Sequence, residues 1–140
     1  MSDDQDFISE EVLQPLNLIT EKIIKGAFEV LNTLGPGFME KVYENALAIE
    51  LRAMGLFVEQ QKPLDVYYKG HVVGHYFADL FVEHEIPVEL KTVKAFDDSH
   101  LNQLLNELCA THCKLGLLLN FAKPLLEIRR KVNTKGKHKT

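Results

Sequence analysis

The amino-acid sequence predicts one α/β domain in which a mixed β-sheet is flanked by helices and preceded by a helical hairpin. Three patterns lead to this prediction. Apolar residues recur at helical spacing before residue 54, β-branched and aromatic residues are concentrated between residues 57 and 93, and an uninterrupted apolar run follows residue 114. The length of 140 residues is that of a single domain.

Two helices are predicted at the start of the domain. The first follows an acidic lead, residues 1–16, which we expect to be irregular and partly disordered. Asn17 is its expected N-cap, and the turn at residues 35–37 ends it. The second helix runs from Phe38 to Met54 and stops at glycine. Its predicted buried stripe consists of Phe38, Val42, Ala46, Ile49 and Ala53.

Several short strands are predicted in the middle of the chain. Those between residues 57 and 73 are separated by Pro63 and by a tight turn at Lys69 and Gly70. Two further strands, residues 76–82 and 86–93, are expected to form a hairpin around a three-residue turn. The sequence therefore predicts four or five strands before residue 94.

A third helix and two more strands complete the predicted domain, which spans residues 17–133. The helix starts at Asp98 or Ser99 and ends at His112. Its predicted buried stripe consists of Leu101, Leu104, Leu105 and Leu108. Residues 114–121 suit a strand buried on both faces, and residues 125–132 suit an edge strand. The remaining residues, 134–140, form a basic tail that we interpret as a solvated terminus.

The distribution of charge argues against a large nucleic-acid-binding face. Residues 17–128 carry 15 acidic and 10 basic side chains, whereas proteins that hold a duplex present an excess of lysine and arginine. A polyanion would therefore bind at a local site, at the basic tail or through a metal ion. The N-terminal residues show no signal pattern, and no apolar run approaches the ~20 residues that span a bilayer. We expect a cytoplasmic protein with no membrane contact.

Neither the cysteines nor the histidines predict a metal site. Cys109 and Cys113 share a helical face, but no second pair of ligands stands at a matching distance, so we interpret both as small buried side chains. His71 and His75 fall on a predicted strand, where their four-residue spacing does not converge on an ion.

Two acids and a lysine on neighbouring predicted strands form the candidate functional site. Glu89 and Lys91 share one face of their strand, because side chains two residues apart point the same way. If Val82 pairs with Ile86, Asp79 lies opposite Glu89, with Cβ atoms about 4.5–5.5 Å apart. Two carboxylates at this distance repel each other unless a proton or a cation is shared between them.

A divalent metal ion is a cation that suits this arrangement. Mg²⁺ is bound through one or two carboxylates together with waters and substrate phosphate oxygens. Lys91 would then orient or deprotonate an attacking water, or stabilise the phosphate in the transition state. The spacing alone is equally compatible with an exposed strand face that carries ordinary salt bridges.

The order of these residues along the chain resembles a nuclease pattern. Asp79 is followed by Glu89-x-Lys91, with an acid on a preceding helix and a glutamine on the following one. This order is similar to that of the PD-(D/E)XK nuclease-like superfamily, and the resemblance implies a restriction-endonuclease-like core.

Shorter motifs resemble a particular branch of that superfamily. Gly37, Glu40 and Tyr43 match the GxxExxY signature that names a family of small proteins within it. The later segments 103–106 and 116–121 are also similar to motifs of that family. The chain departs from the family pattern at Leu31, where a histidine is common, and at Glu107, where an aromatic residue is common.

The resemblance implies roles for individual residues. It implies that a Mg²⁺ or Mn²⁺ ion is held by the carboxylates of Glu40, Asp79 and Glu89 and by the Leu90 carbonyl, and that Asp79, Glu89, Lys91 and Gln103 form the catalytic set. The residue patterns alone allow other roles. Glu40 suits the positive end of a helix dipole, and Gln103 suits a solvent-facing helical position. For Tyr43 we favour a core ring with a hydrogen-bonded hydroxyl over a substrate contact.

The expected function is therefore metal-dependent hydrolysis of phosphodiester bonds in DNA or RNA. The alternative is a non-catalytic module that keeps the nuclease fold and binds nucleic acid or protein. The acidic body and small surface support this alternative. A homodimer would double the surface for a nucleic-acid partner, and that assembly stays open.

Overall fold

The computed structural model describes residues 8–134, and its architecture confirms the predicted fold class of a mixed sheet flanked by helices. Three helices and five strands follow one another in the order α1 (Glu10–Leu34), α2 (Glu40–Ala53), β1 (Val58–Tyr68), β2 (His71–Val82), β3 (Ile86–Lys91), α3 (Asp98–Thr111), β4 (Leu115–Asn120) and β5 (Glu127–Val132). No helix in this part of the chain is long and apolar enough to cross a membrane.

The five strands lie in the sheet in the same order as in the chain. All neighbouring strands are antiparallel except β3 and β4, which are parallel because α3 crosses from the end of one to the start of the other. The main apolar core joins α1 and α2 to one face of the sheet. A smaller cluster of Leu104, Leu108 and Leu118 joins α3 to the sheet.

The first helix begins earlier than predicted. Its N-cap is Ser9, whose hydroxyl accepts a hydrogen bond from the Val12 amide at 3.4 Å, so the assignment of Asn17 as the cap is wrong. Pro15 lacks an amide hydrogen and obscures the helical pattern in the sequence, although it removes only one helical bond. Residues 10–16 of the predicted acidic lead are helical, and Leu16 is buried. Residues 1–7 lie outside the described part of the chain.

The second helix buries a different face from the one predicted. It begins at Glu40, and its buried residues are Tyr43, Glu44, Leu47, Ala48 and Leu51. The predicted stripe is wrong, because Phe38, Val42 and Ile49 are all exposed. The reason lies in the opposite helix. A Cβ atom at Gly26 would stand only 2.8 Å from Leu51, so glycine at that position lets α1 accept the larger leucines of α2.

The predicted strands of the middle region are fewer and longer in the structure. β1 continues through Pro63, which an edge strand tolerates, and β2 is unbroken, so three strands stand where four or five were predicted. The tight turn at Lys69 and Gly70 is confirmed, with φ angles of 50° and 82°. β3 ends at Lys91, two residues before the predicted end.

The bounds of the C-terminal elements agree closely with prediction, although only Leu104 and Leu108 of the predicted stripe of α3 are buried, and Leu101 and Leu105 are half-buried. α3 starts at Asp98 and is capped by the Asp97 side chain, which accepts from the Ser99 and His100 amides. All six residues of β4 are buried, and β5 is an edge strand. Of the predicted basic tail, residues 135–140 lie outside the described range.

Candidate active site

The β2–β3 hairpin has the register that the sequence predicted. Val82 pairs with Ile86, and Leu80 pairs with Val88. Continuing this antiparallel register by one residue places Asp79 opposite Glu89. The turn between the strands has three residues, two of which, Glu83 and His84, adopt positive φ angles.

The Asp79 carboxylate lies where the ladder between β2 and β3 ends. One oxygen accepts a hydrogen bond from the Leu90 backbone amide at 2.8 Å, and the other accepts from the Gln61 side-chain amide at 3.1 Å. The first bond takes the place of a ladder bond to β3. Asp79 is therefore fixed both along the strand and across the sheet.

A network of side-chain hydrogen bonds, which the sequence analysis did not predict, holds the Asp79 carboxylate in place. The Gln61 amide also donates to Glu44 at 2.9 Å, and the second oxygen of Glu44 accepts from Lys41 at 3.0 Å and from Gln60 at 2.8 Å. Glu44 is buried on α2 with both oxygens satisfied. This network links α2, β1 and β2 and fixes the position of Asp79.

Glu89 is half-buried on β3, with one carboxylate oxygen fully enclosed, and it lies beside a second, buried carboxylate, that of Glu107 on α3. Burial, followed by the negative charges of Glu107 and Asp79, raises the pKa of Glu89 to about 10, and Lys91 partly opposes this rise. Burial also raises the pKa of Glu107. Within residues 8–134, Glu89 Oε2 and Glu107 Oε1 find no hydrogen-bond donor. A shared proton or a cation would satisfy both oxygens.

Glu107 was noted in the sequence only as a departure from the family pattern, yet it is a central feature of the site. A sequence signal was available, since Glu107 adjoins Leu108 and lies three residues after Leu104, in the buried stripe of α3. An acid in such a stripe is rarely fully buried unless it is paired or functional. Its proximity to Glu89 depends on how α3 packs, which the sequence does not reveal.

Lys91 and Gln103 line the same small pocket as the two buried acids. The pocket lies between β3 and α3, and its walls are formed by Glu89, Lys91, His100, Gln103, Leu104, Glu107 and Leu118. Gln103 is exposed on α3 but faces this opening. The structure thus brings together Asp79, Glu89 and Lys91 with the predicted glutamine, and it adds Glu107.

Glu40 reaches the end of β3 by a separate contact. Its carboxylate accepts a hydrogen bond from the Thr92 amide at 3.2 Å. Three residues later, Tyr43 is fully buried, donates its hydroxyl to the Gly35 carbonyl at 2.6 Å and stacks on Phe121 with ring centroids 4.8 Å apart. Tyr43 therefore has the structural role that we favoured, since it ties the glycine turn to the core.

Asn120 secures the chain where β3 leads into the site. Its side-chain amide donates to the Val93 carbonyl at 2.8 Å and to Glu127 at 3.0 Å, and its oxygen accepts from the Val93 and Ala122 amides. These bonds hold the residues after Lys91 although they lie beyond the sheet. They also lower the pKa of Glu127, chiefly through the Asn120 hydrogen bond.

The donor set can be tested for its fit to a divalent ion. In the described residues, no three histidine, cysteine or acidic side chains stand close enough to enclose a metal, so Glu40, Asp79 and Glu89 do not form such a group. Mg²⁺ does not require one, because it commonly takes one or two carboxylates and completes its shell with water and phosphate. The oxygen chemistry of Asp79 and Glu89, with an unsatisfied oxygen on Glu89, fits such an ion.

Comparison with known proteins decides the family. The sequence profile described as the PD-(D/E)XK nuclease superfamily matches residues 17–131, most of the chain. The chain belongs to this superfamily. No curated protein and no solved structure shows significant similarity to the chain. Membership suggests a nuclease-like function that involves nucleic acid, and nucleases of this superfamily generally use divalent metals.

Proposed function

We propose that this protein is a metal-dependent nuclease that hydrolyses phosphodiester bonds in DNA or RNA. The observation that supports the proposal is the buried carboxylate pair of Glu89 and Glu107 beside Asp79. A fold gains nothing in stability from burying like charges together. Such an arrangement is typical of a functional site whose carboxylates bind a cation or a proton.

The proposed ligands of Mg²⁺ or Mn²⁺ are the carboxylates of Asp79 and Glu89 and the Leu90 carbonyl. Glu40 is not proposed as a direct ligand, because its carboxylate accepts a hydrogen bond from the Thr92 amide and, within residues 8–134, does not form an enclosing group with the other two acids. When bound, the ion would supply Lewis acidity to a phosphate oxygen. Lys91 would orient the attacking water and offset the negative charge that develops on phosphorus-bound oxygens as the P–O bond breaks. Gln103, at the mouth of the pocket, would position the water or the substrate.

Two finer assignments accompany this proposal. We assign the chain to the GxxExxY branch, on the basis of Gly37, Glu40 and Tyr43. The role of Tyr43 in tying down the Gly35 carbonyl gives that signature a structural reason. We also propose that the protein acts in the cytoplasm.

The alternative is a module that binds nucleic acid or protein without cleaving it. It is favoured by the absence, within residues 8–134, of any enclosed group of three metal ligands. The two functions differ in what they require of Lys91, because cleavage needs its ammonium beside the attacking water whereas a non-catalytic module does not cleave.

Cleavage assays with a matched lysine pair test the proposal. Labelled single- and double-stranded DNA and RNA are incubated with Mn²⁺, Mg²⁺ or a chelator, using wild type, Lys91→Ala and Lys94→Ala. Lys94 is an exposed lysine three residues further on and controls for charge. We expect cleavage to require metal, to fall about 100-fold or more in Lys91→Ala and to persist in Lys94→Ala.

Metal binding is measured separately by calorimetry with Mn²⁺. We expect wild type and Lys91→Ala to bind the ion and Asp79→Asn to lose most of the signal. Mn²⁺ binding without cleavage of any substrate would favour the binding module. An unchanged signal in Asp79→Asn would refute the proposed metal site.

A further inference from the structure

His100 caps the first turn of α3 and also lines the pocket of the candidate site. In the capping box, the Asp97 carboxylate accepts from the His100 amide, and the His100 ring accepts from the Asp97 amide. Glutamate or glutamine usually holds this position, so the cap alone does not call for a ring. The His100 side chain is 20% exposed and forms part of the pocket wall with Glu89 and Lys91.

The bond to the cap fixes which ring nitrogen of His100 carries its hydrogen. Nδ1 lies 3.0 Å from the Asp97 amide nitrogen, which can only donate, so Nδ1 accepts. The nearest oxygen of the Asp97 carboxylate is further from Nδ1, at 3.3 Å, and already accepts from the Ser99 hydroxyl at 2.5 Å and the Ser99 amide at 2.8 Å. The hydrogen of the neutral ring is therefore on Nε2.

The Nε2–H group is a donor without a partner in a ring that is held in place. None of the hydrogen bonds within residues 8–134 uses His100 Nε2. The Phe96 ring contacts the His100 ring edge to face, with centroids 5.9 Å apart, and Arg129 lies over Phe96 at 5.7 Å. Because Nδ1 is turned to the cap, the edge of the ring that remains for the pocket carries Nε2–H.

The size of the pocket limits what this donor can meet. The pocket has a volume of about 20 Å³, which is room for one water and not for a phosphate group. A phosphodiester would therefore lie at the mouth of the pocket, beside the half-buried His100 and the exposed Gln103.

The charges of the pocket favour a neutral donor at its mouth. The walls carry the acids Glu89 and Glu107 as well as Lys91. Because a phosphodiester is negatively charged, these acids oppose its approach, and N–H donors aimed at its oxygens offset that repulsion. Glutamate in the capping box would bring a third acid to the pocket, whereas histidine caps the helix and still offers an N–H.

We propose that His100 is a further catalytic residue, which donates its Nε2–H to a non-bridging oxygen of the phosphate that is cleaved. The inference rests on the proposed nuclease function and goes beyond it by adding a substrate contact. The hydrogen bond strengthens as negative charge builds up on the phosphate oxygens in the transition state. His100 gives up no proton in this role.

Three substitutions separate this role from the capping of α3. His100→Ala removes both the cap acceptor and the donor, His100→Glu keeps only the acceptor, and His100→Gln keeps an acceptor and an N–H donor. If His100 served the cap alone, His100→Glu and His100→Gln would both restore what His100→Ala loses. The proposed contact is restored by His100→Gln alone.

Cleavage is measured in Mn²⁺ with the nucleic acid that wild type cleaves, after circular dichroism has shown that each variant is folded. We expect kcat to fall about 100-fold in His100→Ala and His100→Glu and to stay within about tenfold in His100→Gln. His75→Ala is the control and should stay within about twofold. The His75 ring is also held by an aspartate, Asp65 at 2.6 Å, but it does not line the pocket.

Phosphorothioate substrates test the contact without changing the charge of the protein. Sulphur in place of the contacted oxygen is a poor hydrogen-bond acceptor. We expect one of the two diastereomers to slow wild type about tenfold more than it slows His100→Ala. Equal slowing of the two proteins by both diastereomers would contradict the contact.

Nuclear magnetic resonance of the histidine rings gives a readout that needs no cleavage. Long-range ¹H–¹⁵N spectra are recorded for Lys91→Ala in Mg²⁺, with single- and double-stranded DNA and RNA oligonucleotides added in turn. The His100 signals are assigned by their loss when His100→Gln is added to this protein. We expect the hydrogen on Nε2 before addition, and a shift of the Nε2 signal with at least one nucleic acid.

The outcomes separate this inference from the proposed function. Lys91-dependent cleavage that is equal in wild type and His100→Ala would overturn the role of His100 and leave the nuclease standing, as would equal restoration by His100→Glu and His100→Gln. A shift of the Nε2 signal without cleavage of any substrate would support the phosphate contact and overturn the nuclease. A ring hydrogen on Nδ1, or no shift with any of the four nucleic acids, would overturn the contact.

Discussion

The two faces of the six-residue strand β3 differ in chemistry, since one is apolar and the other carries ionisable side chains. Val88 and Leu90 are fully buried in the main core beneath α1 and α2. Glu89 and Lys91, which alternate with them, face the pocket under α3. One face holds the strand in place by apolar contact, and the other carries an acid whose ionised form destabilises the fold.

This contrast shows how a small domain can accommodate an unfavourable site. Glu89 is positioned by its backbone, and that backbone is fixed by its apolar neighbours and by the hydrogen bond from the Leu90 amide to Asp79. The acids therefore need no stabilising contacts of their own to stay in place. Residues that stabilise the fold and residues of the candidate site therefore alternate along β3.

The largest expected effect comes from breaking the apolar face. Leu90→Ala removes a side chain that is 1% exposed and leaves a cavity in the main core. We expect the free energy of unfolding to fall by about 2–5 kcal/mol. Urea denaturation followed by circular dichroism measures the loss. Leu125→Ala, at an 82% exposed position, is the control, and a similar loss there would contradict the contrast.

An effect of opposite sign is expected on the face of β3 that carries Glu89 and Lys91. The pKa of Glu89 is raised from 4.5 to about 10, so the folded chain holds a proton that the unfolded chain releases between these values. In chelator, the contribution of Glu89 to stability should therefore be fully present below about pH 4.5 and be lost as the pH rises towards 10. Glutamine at position 89 does not ionise in the unfolded chain, so for Glu89→Gln we expect a higher melting temperature at pH 8 with little change at pH 5.

Glu127 is the matched control, because its pKa is shifted in the other direction. The hydrogen bond from Asn120 lowers the pKa of Glu127, so its contribution to stability is present above the ordinary value and is lost as the pH falls. Glu127→Gln should therefore lower the melting temperature at pH 8. Thermal unfolding at both pH values checks the two signs, and an unchanged pH profile in Glu89→Gln would show that Glu89 is not buried with its proton.

The smallest expected effect concerns the support behind Asp79. Gln61→Asn keeps an amide and tolerates the left-handed backbone at this position, φ 50°, but is too short to bridge Glu44 and Asp79. We expect a loss of about 0.5–1.5 kcal/mol and weaker Mn²⁺ binding in calorimetry. Gln60→Asn also loses a bond to Glu44 but has no contact with Asp79 among the hydrogen bonds of the described residues. It should leave Mn²⁺ binding unchanged, and equal weakening in both variants would argue against the bridge.

Local patterns allowed much of the fold and part of the site to be predicted. The three-residue turn set the register of β2 and β3, and from it the position of Asp79 opposite Glu89. The face of α2 could not be predicted, because it depends on space left by Gly26 on another helix. Glu107 and Gln61 were missed for the same kind of reason, since their roles arise from how α3 packs and from a left-handed backbone within β1.

The parallel connection between β3 and β4 has a consequence for the order of folding. β1, β2 and β3 are joined by short turns and pair locally, whereas β3 meets β4 only after α3 has closed a long loop. Until that loop closes, Glu89 remains in water and ionises freely. We infer that the cost of burying Glu89 beside Glu107, and the proton uptake that offsets it, arise late, when α3 docks, so the early meander of strands forms without this electrostatic cost.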